Sequence, residues 1–368
     1  MGAAPRGTHH GVLVLDKPAG PSSHEVVAWV RRSLGERRVG HCGTLDPAAT
    51  GVLVVCVGEA TKLVAWLTDD DKRYAATIRL GRSTTTADAE GETLATAPID
   101  AATLARAPRE LAALRGRREL SPPRVSAVRI DGERAYTRAR RGEDFVVPPR
   151  MMAVREVVLD DATLDPAPAT TATVRATFEV GKGTYIRALA EALGDAVGVP
   201  AHLAALRRLR TGKFDLAAAA AAGTLVATRG EPRPDGKPRH RLLPADGADA
   251  DTLRARLIAA LITPRDAAPE TWLRAELGDP ESFARLCNGV TLDAAVLGAL
   301  PPQAATISPD RGGAEAEDRP HPGRFVLVGG PPGSTAQVLA TLDSGSPGAP
   351  AVRLRPVRVL GAAGCPDP

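Results

Sequence analysis

Aromatic side chains are scarce in this chain: five Phe, three Trp and three Tyr among 368 residues. Each tyrosine therefore invites a reason for its position. Cysteine is sparse as well. Cys42, Cys56, Cys287 and Cys365 stand far apart, with no CxxC pair and no nearby pair of histidines. Neither a structural zinc site nor a disulfide scaffold is expected, no metal is predicted, and a reducing cytoplasm suits the chain. No apolar run approaches the ~20 residues of a membrane span. The best, Val52–Val57, has the length of a strand. Near the start only Val12–Leu15 is apolar before Asp16, which is not the basic-then-apolar order of a signal peptide. There is no GxGxxG. Gly181-Lys182-Gly183-Thr184 lacks the earlier glycine of a phosphate loop, since position 176 is alanine. A nucleotide cofactor is therefore not expected.

What is present points elsewhere. With 43% hydrophobic and 24% charged residues the chain is globular, and its length predicts two domains. The net charge is only +4, yet it is unevenly spread. Residues 115–141 carry nine Arg against Glu119, Asp131 and Glu133, and residues 182–213 carry six basic residues against Glu191 and Asp195. Two concentrated basic stretches on a near-neutral chain suggest a polyanionic partner.

Local patterns give an outline of the fold. Val12–Leu15 reads as a strand, and Ser22 or Ser23 caps a helix running from His24 to about Arg32. Gly35–Thr50 reads as a loop holding Gly40, Gly43 and Pro47, and Val52–Val57 as a strand buried on both faces. A helix is expected over Glu59–Leu67 and strands over Tyr74–Leu80, Val125–Ile130, Ala153–Leu159 and Thr171–Val180. A basic helix lies near Glu133–Arg141, and another helix runs from Tyr185 to about Val197. Residues 229–250 are rich in Pro, Gly and charge without periodicity and read as a mobile linker. Beyond it, short strands (Phe325–Val328, Val338–Leu342, Val352–Val359) suggest a small, mostly β domain with a disordered insertion near 308–323. Strands and helices alternate irregularly, which favours a mixed sheet over regular βαβ winding.

The most informative stretch is Gly40-His41-Cys42-Gly43-Thr44-Leu45-Asp46-Pro47-Ala48-Ala49-Thr50-Gly51. Three glycines let the backbone approach a ligand closely, and Asp46 stands ahead of the buried strand. A carboxylate there can serve as nucleophile, general base or mere cap. This stretch resembles the GHxGxLDPxATG signature of the TruB-type tRNA pseudouridine synthases, with every fixed position met. Gly11–Ser23 is similar to the family's opening Lys-Pro-Gly motif, with Ser22 where Thr is usual. Asp71–Tyr74 with Gly81, Thr86–Gly91, and Lys182–Arg187 followed by Leu206-Arg207-Arg208 resemble its further motifs in order. The likeness covers roughly residues 11–216.

That resemblance implies an α+β fold: a mixed, largely antiparallel sheet in a catalytic domain over 1–228, carrying an inserted thumb at about 115–150. A linker at 229–252 and a small, mostly β PUA-like RNA-binding domain over 253–368 follow. The implied activity is isomerisation of uridine 55 in the T loop of tRNA to pseudouridine, by base flipping and an aspartate-dependent rearrangement of the glycosidic bond. The reaction needs no redox change or energy input, in keeping with the missing cofactor motifs. It needs one carboxylate near C1′ or C6, as nucleophile or base. By resemblance this is Asp46, kept ionised by Arg187, with Tyr74 stacking on the base and taking part in proton transfer. Tyr185 lines the pocket, Leu206 packs against the uracil, His41 fills the gap left by the flipped base, and Lys17 joins the substrate-binding set. The thumb departs from the family pattern at Leu120, Val125 and Arg129, which bears on individual RNA contacts and not on the chemistry. The expected partner is the T arm of tRNA, bound by a cytoplasmic monomer without cofactor, metal or membrane. Two other readings are a guide-RNA-dependent pseudouridylase, against which the thumb argues, and a non-catalytic RNA chaperone, against which Asp46, Tyr74 and Arg187 argue.

Overall fold

The computed structural model describes residues 9–166, 171–231, 239–297, 325–330, 337–343 and 353–360. A nine-stranded sheet forms the backbone of the larger part. Its main order runs Gly11–Lys17, Thr50–Val57, Ala201–Thr211, Lys72–Leu80, Ala172–Val180, Arg150–Leu164 and Gly116–Leu120. All neighbours pair antiparallel except Thr50–Val57 with Ala201–Thr211, which touch in parallel over two residues, Thr50 opposite Arg207 and Gly51 opposite Arg208. The mixed, largely antiparallel sheet of the sequence reading is thus what the chain builds.

Strand periodicity explains how the sheet is covered. In Thr50–Val57 the side chains of Leu53, Val55 and Val57 enter one core, and those of Val52, Val54 and Cys56 enter another. Leu13 and Leu15 split from Val12 and Val14 in the same way. Both strands are therefore apolar throughout, as strands buried on two faces must be. On one face lies the helix Ser23–Leu34, started by a capping box between Ser22 and Glu25 and ended by left-handed Gly35. The second face is covered by the C-terminal part. Leu327, Leu339 and Leu360 pack on it, and Val12 exchanges two backbone hydrogen bonds with Ile262, of 2.8 and 2.9 Å.

The C-terminal part holds a five-stranded sheet with its own small core, in which Val326, Val328, Val338 and Leu354 meet Phe283 and Leu286. Because its other face is shared with the larger part, the two halves are fused through apolar side chains. The segment read as an aperiodic linker is also built differently. Leu225–Gly230 and Arg239–Pro244 form an antiparallel hairpin, Leu225 and Leu242 reach the main core, and the helix Ala250–Ala259 follows. Proline and charge hid a hairpin with few inward apolar residues, Leu225 and Leu242. The proposed insertion near 308–323 lies outside the described residues.

Other differences are local. Val39–His41, expected in a loop, is a short strand on Thr50–Val57. Of Val125–Ile130 only Arg129–Ile130 is a strand, because Val125–Val128 turns toward the active face instead of pairing. Ala201–Thr211 carried no earlier strand assignment: two bulges, at Leu203/Ala205 and Arg208/Arg210, break its alternation. Gly116–Leu120, at the start of the stretch expected to form a thumb, is an edge strand paired with Arg150–Val154.

Where Ala201–Thr211 crosses Thr50–Val57, Gly51 has φ +102°, and a Cβ there would overlap the backbone of Arg208. Gly51→Ala is accordingly expected to destabilise the protein by more than about 3 kcal/mol, because backbone, not a flexible side chain, would have to move. Urea unfolding of the variant beside wild type measures it.

Candidate active site

The loop after Val39–His41 is held from beneath by groups that sequence alone scatters. Ser23 Oγ donates to Leu45 O at 3.0 Å and accepts from Leu45 N at 2.8 Å. Gly20 N donates to Pro47 O at 2.8 Å. Lys17, expected to bind substrate, is completely buried instead. Its ammonium donates to Pro18 O at 2.9 Å, Pro47 O at 3.0 Å and Ala49 O at 2.7 Å. Two of its protons are thus spent on the loop that carries Asp46 and the third on the carbonyl of its own neighbour Pro18, so Lys17 supports that loop and does not face a ligand. Burial, opposed by the charge of Asp46, pulls its ammonium down to about 8.

Asp46 stays 40% exposed at the cleft, and its Oδ2 lies 3.1 Å from Arg187 Nη2. Arg187 stands in the first turn of the helix Ile186–Val197 and is buried. Its Nη1 donates to Thr86 O at 3.0 Å and lies 3.3 Å from Asp88 Oδ2, while Nη2 donates to Val125 O at 3.0 Å. One planar fork therefore joins the Asp46 loop, the Thr86–Gly91 segment and the base of the thumb. Asp88 was not singled out beforehand, although it stands in a quoted motif. Its neighbour Ala87 adopts φ +59°, a left-handed conformation costly for a residue with a Cβ. The strained turn aims Asp88 at Arg187, and Leu203 N fixes it by donating to Ala87 O at 3.0 Å.

Around this pair lies a cavity of about 440 Å³, in the range of small-ligand pockets, lined by His41, Asp46, Tyr74, Tyr185, Arg187 and Leu206 among others. Six of the seven side chains expected at the site thus meet in one place; Lys17 alone does not. Tyr74 is buried on Lys72–Leu80. Burial pushes the Tyr185 phenol up, and its ring also joins the small thumb core of Val128, Ala135 and Val147. Lys72 and Arg208 line the same cavity. Lys72 is held by Thr68 O and Asp70 O, both at 2.6 Å, and burial, with Arg208 nearby, brings it down to about 8. The buried cations outnumber the carboxylates, which makes the floor of the cleft suited to an anionic ligand.

His41 packs edge-on against His24, with ring centroids 5.3 Å apart. Burial, then the neighbouring His24 and Arg208, pulls it down to about 4, so its ring is neutral at pH 7. An unfolded histidine ionises near 6.5, so between these values the unfolded chain binds more protons. Stability present above about pH 6.5 is then lost as pH falls toward 4. From pH 7 to 5 we expect His41 to contribute a loss of about 1–2 kcal/mol, absent in His41→Phe, as read from urea unfolding at each pH.

A cleft carboxylate, Asp46, paired with a buried arginine that Asp88 also holds, on a largely antiparallel sheet and walled by two tyrosines, defines an RNA pseudouridine synthase. Residues 31–186 match the family model described as TruB family pseudouridylate synthase (N terminal domain). The chain is 50% identical over 218 residues to a protein of Thermobifida fusca (strain YX) named tRNA pseudouridine synthase B, covering 59% of this chain and 74% of that one. It is 46% identical over 220 residues to a protein of the same name from Streptomyces griseus subsp. griseus, covering 58% and 72%. The chain belongs to the TruB family of pseudouridylate synthases. Among solved structures it shares its fold with a Cbf5-Nop10-Gar1 complex, at TM-score 0.57 and 21% identity over 95% of this chain and 85% of that one. An archaeal box H/ACA sRNP Nop10-Cbf5 complex gives TM-score 0.58 and 20% identity over 98% and 89%.

Proposed function

We propose that the protein isomerises uridine to pseudouridine in tRNA, at position 55 of the T loop. The observation that carries this is the Asp46–Arg187 pair, 3.1 Å apart at the edge of a cavity that also holds Tyr74, Tyr185 and Leu206. Arg187 holds and orients the carboxylate that acts at C1′ or C6. The flipped uracil lies between Tyr74 and Leu206, with Tyr185 as a wall, and Tyr74 takes part in moving the C5 proton. A neutral, flat His41 at the rim suits the gap left in the RNA stack. The enzyme acts in the cytoplasm as a monomer, and residues 253–368 extend its RNA-binding surface. To test the assignment, the full chain is incubated with an unmodified tRNA transcript, and pseudouridine is mapped by carbodiimide modification and primer extension. One pseudouridine at position 55 is expected, and none in a transcript with cytidine there. Modification elsewhere, or none at all, refutes the assignment.

The arginines of the thumb are of two kinds. Arg138 is tied to Glu143 at 2.9 Å and Asp131 at 3.6 Å, and Arg141 to Glu133 and Glu143 at 2.5 and 2.6 Å. Arg134 and Arg140 instead flank the ring of Tyr136, at 5.8 and 5.1 Å, with no carboxylate partner among the described residues. This second pair is free to neutralise phosphates. Arg134→Gln with Arg140→Gln is expected to weaken tRNA binding and reduce the slope of log affinity against log salt by about 0.7 per lost contact. Arg138→Gln leaves that slope as it is. Filter binding from low to high salt distinguishes them.

A further inference from the structure

Arg208 heads the fully buried side chains by size, with 1% exposure. Its neighbour Arg207 turns to the outer face of Ala201–Thr211 and pairs with Asp16 at 2.6 Å, so strand alternation sends Arg208 inward. A guanidinium taken out of water is normally matched by a carboxylate, because an uncompensated buried charge is costly. Among the described residues none pairs with Arg208. Its Nε donates to Val52 O at 2.7 Å, Nη2 to Gly43 O at 3.1 Å, and Nη1 to Thr44 O at 3.4 Å and Tyr74 Oη at 3.5 Å. These acceptors belong to three elements: the strand Thr50–Val57, the loop two and three residues ahead of Asp46, and the strand Lys72–Leu80. Gly43, at φ +106°, would aim any Cβ at Arg208 Nη1, 3.5 Å away. Arg208 also contributes to lowering the ammonium groups of Lys17 and Lys72, behind burial, so its charge reaches both.

We propose that Arg208 is a positioning residue for pseudouridine formation, whose buried guanidinium fixes the Asp46 loop and the Tyr74 hydroxyl in one rigid frame. This rests on the reading of the site as a pseudouridine synthase. The frame needs an arginine, since one planar group with donors on three nitrogens reaches all three elements at once, whereas a lysine presents its donors at a single point. Asp46 must meet one carbon of the substrate while Tyr74 holds the base, and a displacement on the order of 1 Å in such an arrangement costs about 100-fold in rate.

The test compares wild type, Arg208→Lys and Arg208→Gln as full chains. Single-turnover pseudouridine formation at saturating tRNA, tRNA affinity and thermal unfolding are measured on each. Arg208→Lys is expected to react about 100-fold more slowly per folded molecule, with affinity within about three-fold of wild type. Tyr74→Phe is then added. Because both changes disturb the same frame, the double variant loses less than the product of the two separate losses. If Arg208→Lys does not fold, Arg208→Gln, which removes the unpaired charge and keeps an amide donor, carries the same measurements. A purely structural residue would lower the folded fraction and leave the rate per folded molecule unchanged. That result, or losses that multiply fully with Tyr74→Phe, overturns the proposal. Wild-type rates are measured first, so a wild type that forms no pseudouridine overturns the reading of the site instead.

Discussion

Asp46→Asn abolishes turnover while tRNA affinity stays within a few-fold of wild type. Asparagine keeps the shape of the side chain and its place in a loop held by Lys17, Ser23 and Arg208. It loses the negative oxygen that must attack the substrate or take a proton from it. Folding should survive, because Arg187 retains Asp88 at 3.3 Å and two backbone carbonyls at 3.0 Å each. Binding should survive as well, since thumb arginines and the basic floor of the cleft attract RNA without help from Asp46. The rate is expected below a thousandth of wild type, a barrier higher by more than about 4 kcal/mol. Tritium release from 5-labelled uridine in tRNA measures it directly. Residual turnover above that level would remove Asp46 from its role.

Arg187→Lys is expected to lower the single-turnover rate by at least about 100-fold in a protein that still folds. The argument is geometric. Two terminal nitrogens of Arg187 serve Asp46 Oδ2, Asp88 Oδ2, Thr86 O and Val125 O, which lie on different sides of the fork. A lysine ammonium keeps the charge but concentrates its donors at one point and cannot span four acceptors. Asp46 would keep a cation nearby and lose its fixed orientation. Affinity for tRNA, measured in parallel, should change little, so the loss falls on the chemical step. Rates within two-fold of wild type would show that the ion pair does not matter.

Sequence reading succeeded where a few neighbouring residues carry the whole signal. Ser22 or Ser23 announced the helix that Ser22 caps, and Tyr74–Leu80 showed the strict alternation it has in the sheet. It failed where local chemistry and global placement disagree. Lys17 reads as a substrate-binding residue, yet it is enclosed because the carbonyls of Pro18, Pro47 and Ala49, from two loops, converge on its ammonium. Residues 229–250 read as a linker, because a hairpin needs only a few inward side chains and Leu242 was diluted by proline and charge, while its partner Leu225 stood before the stretch.

By itself, then, the sequence determined the family, the set Asp46, Arg187, Tyr74 and Tyr185 that the fold gathers at one cleft, and the main strands, because motifs and periodicities are short-range and survive without a partner. Only the tertiary structure decided which cations are structural, that Asp88 shares Arg187, and that Arg208 lies beneath the Asp46 loop. It also decided that the C-terminal sheet closes the second face of the larger one through Leu327, Leu339 and Leu360. The reason is common to all of these. Burial and pairing join residues far apart in the chain, 156 positions for Arg208 and Val52, and no local pattern records which distant carbonyl a buried donor will meet.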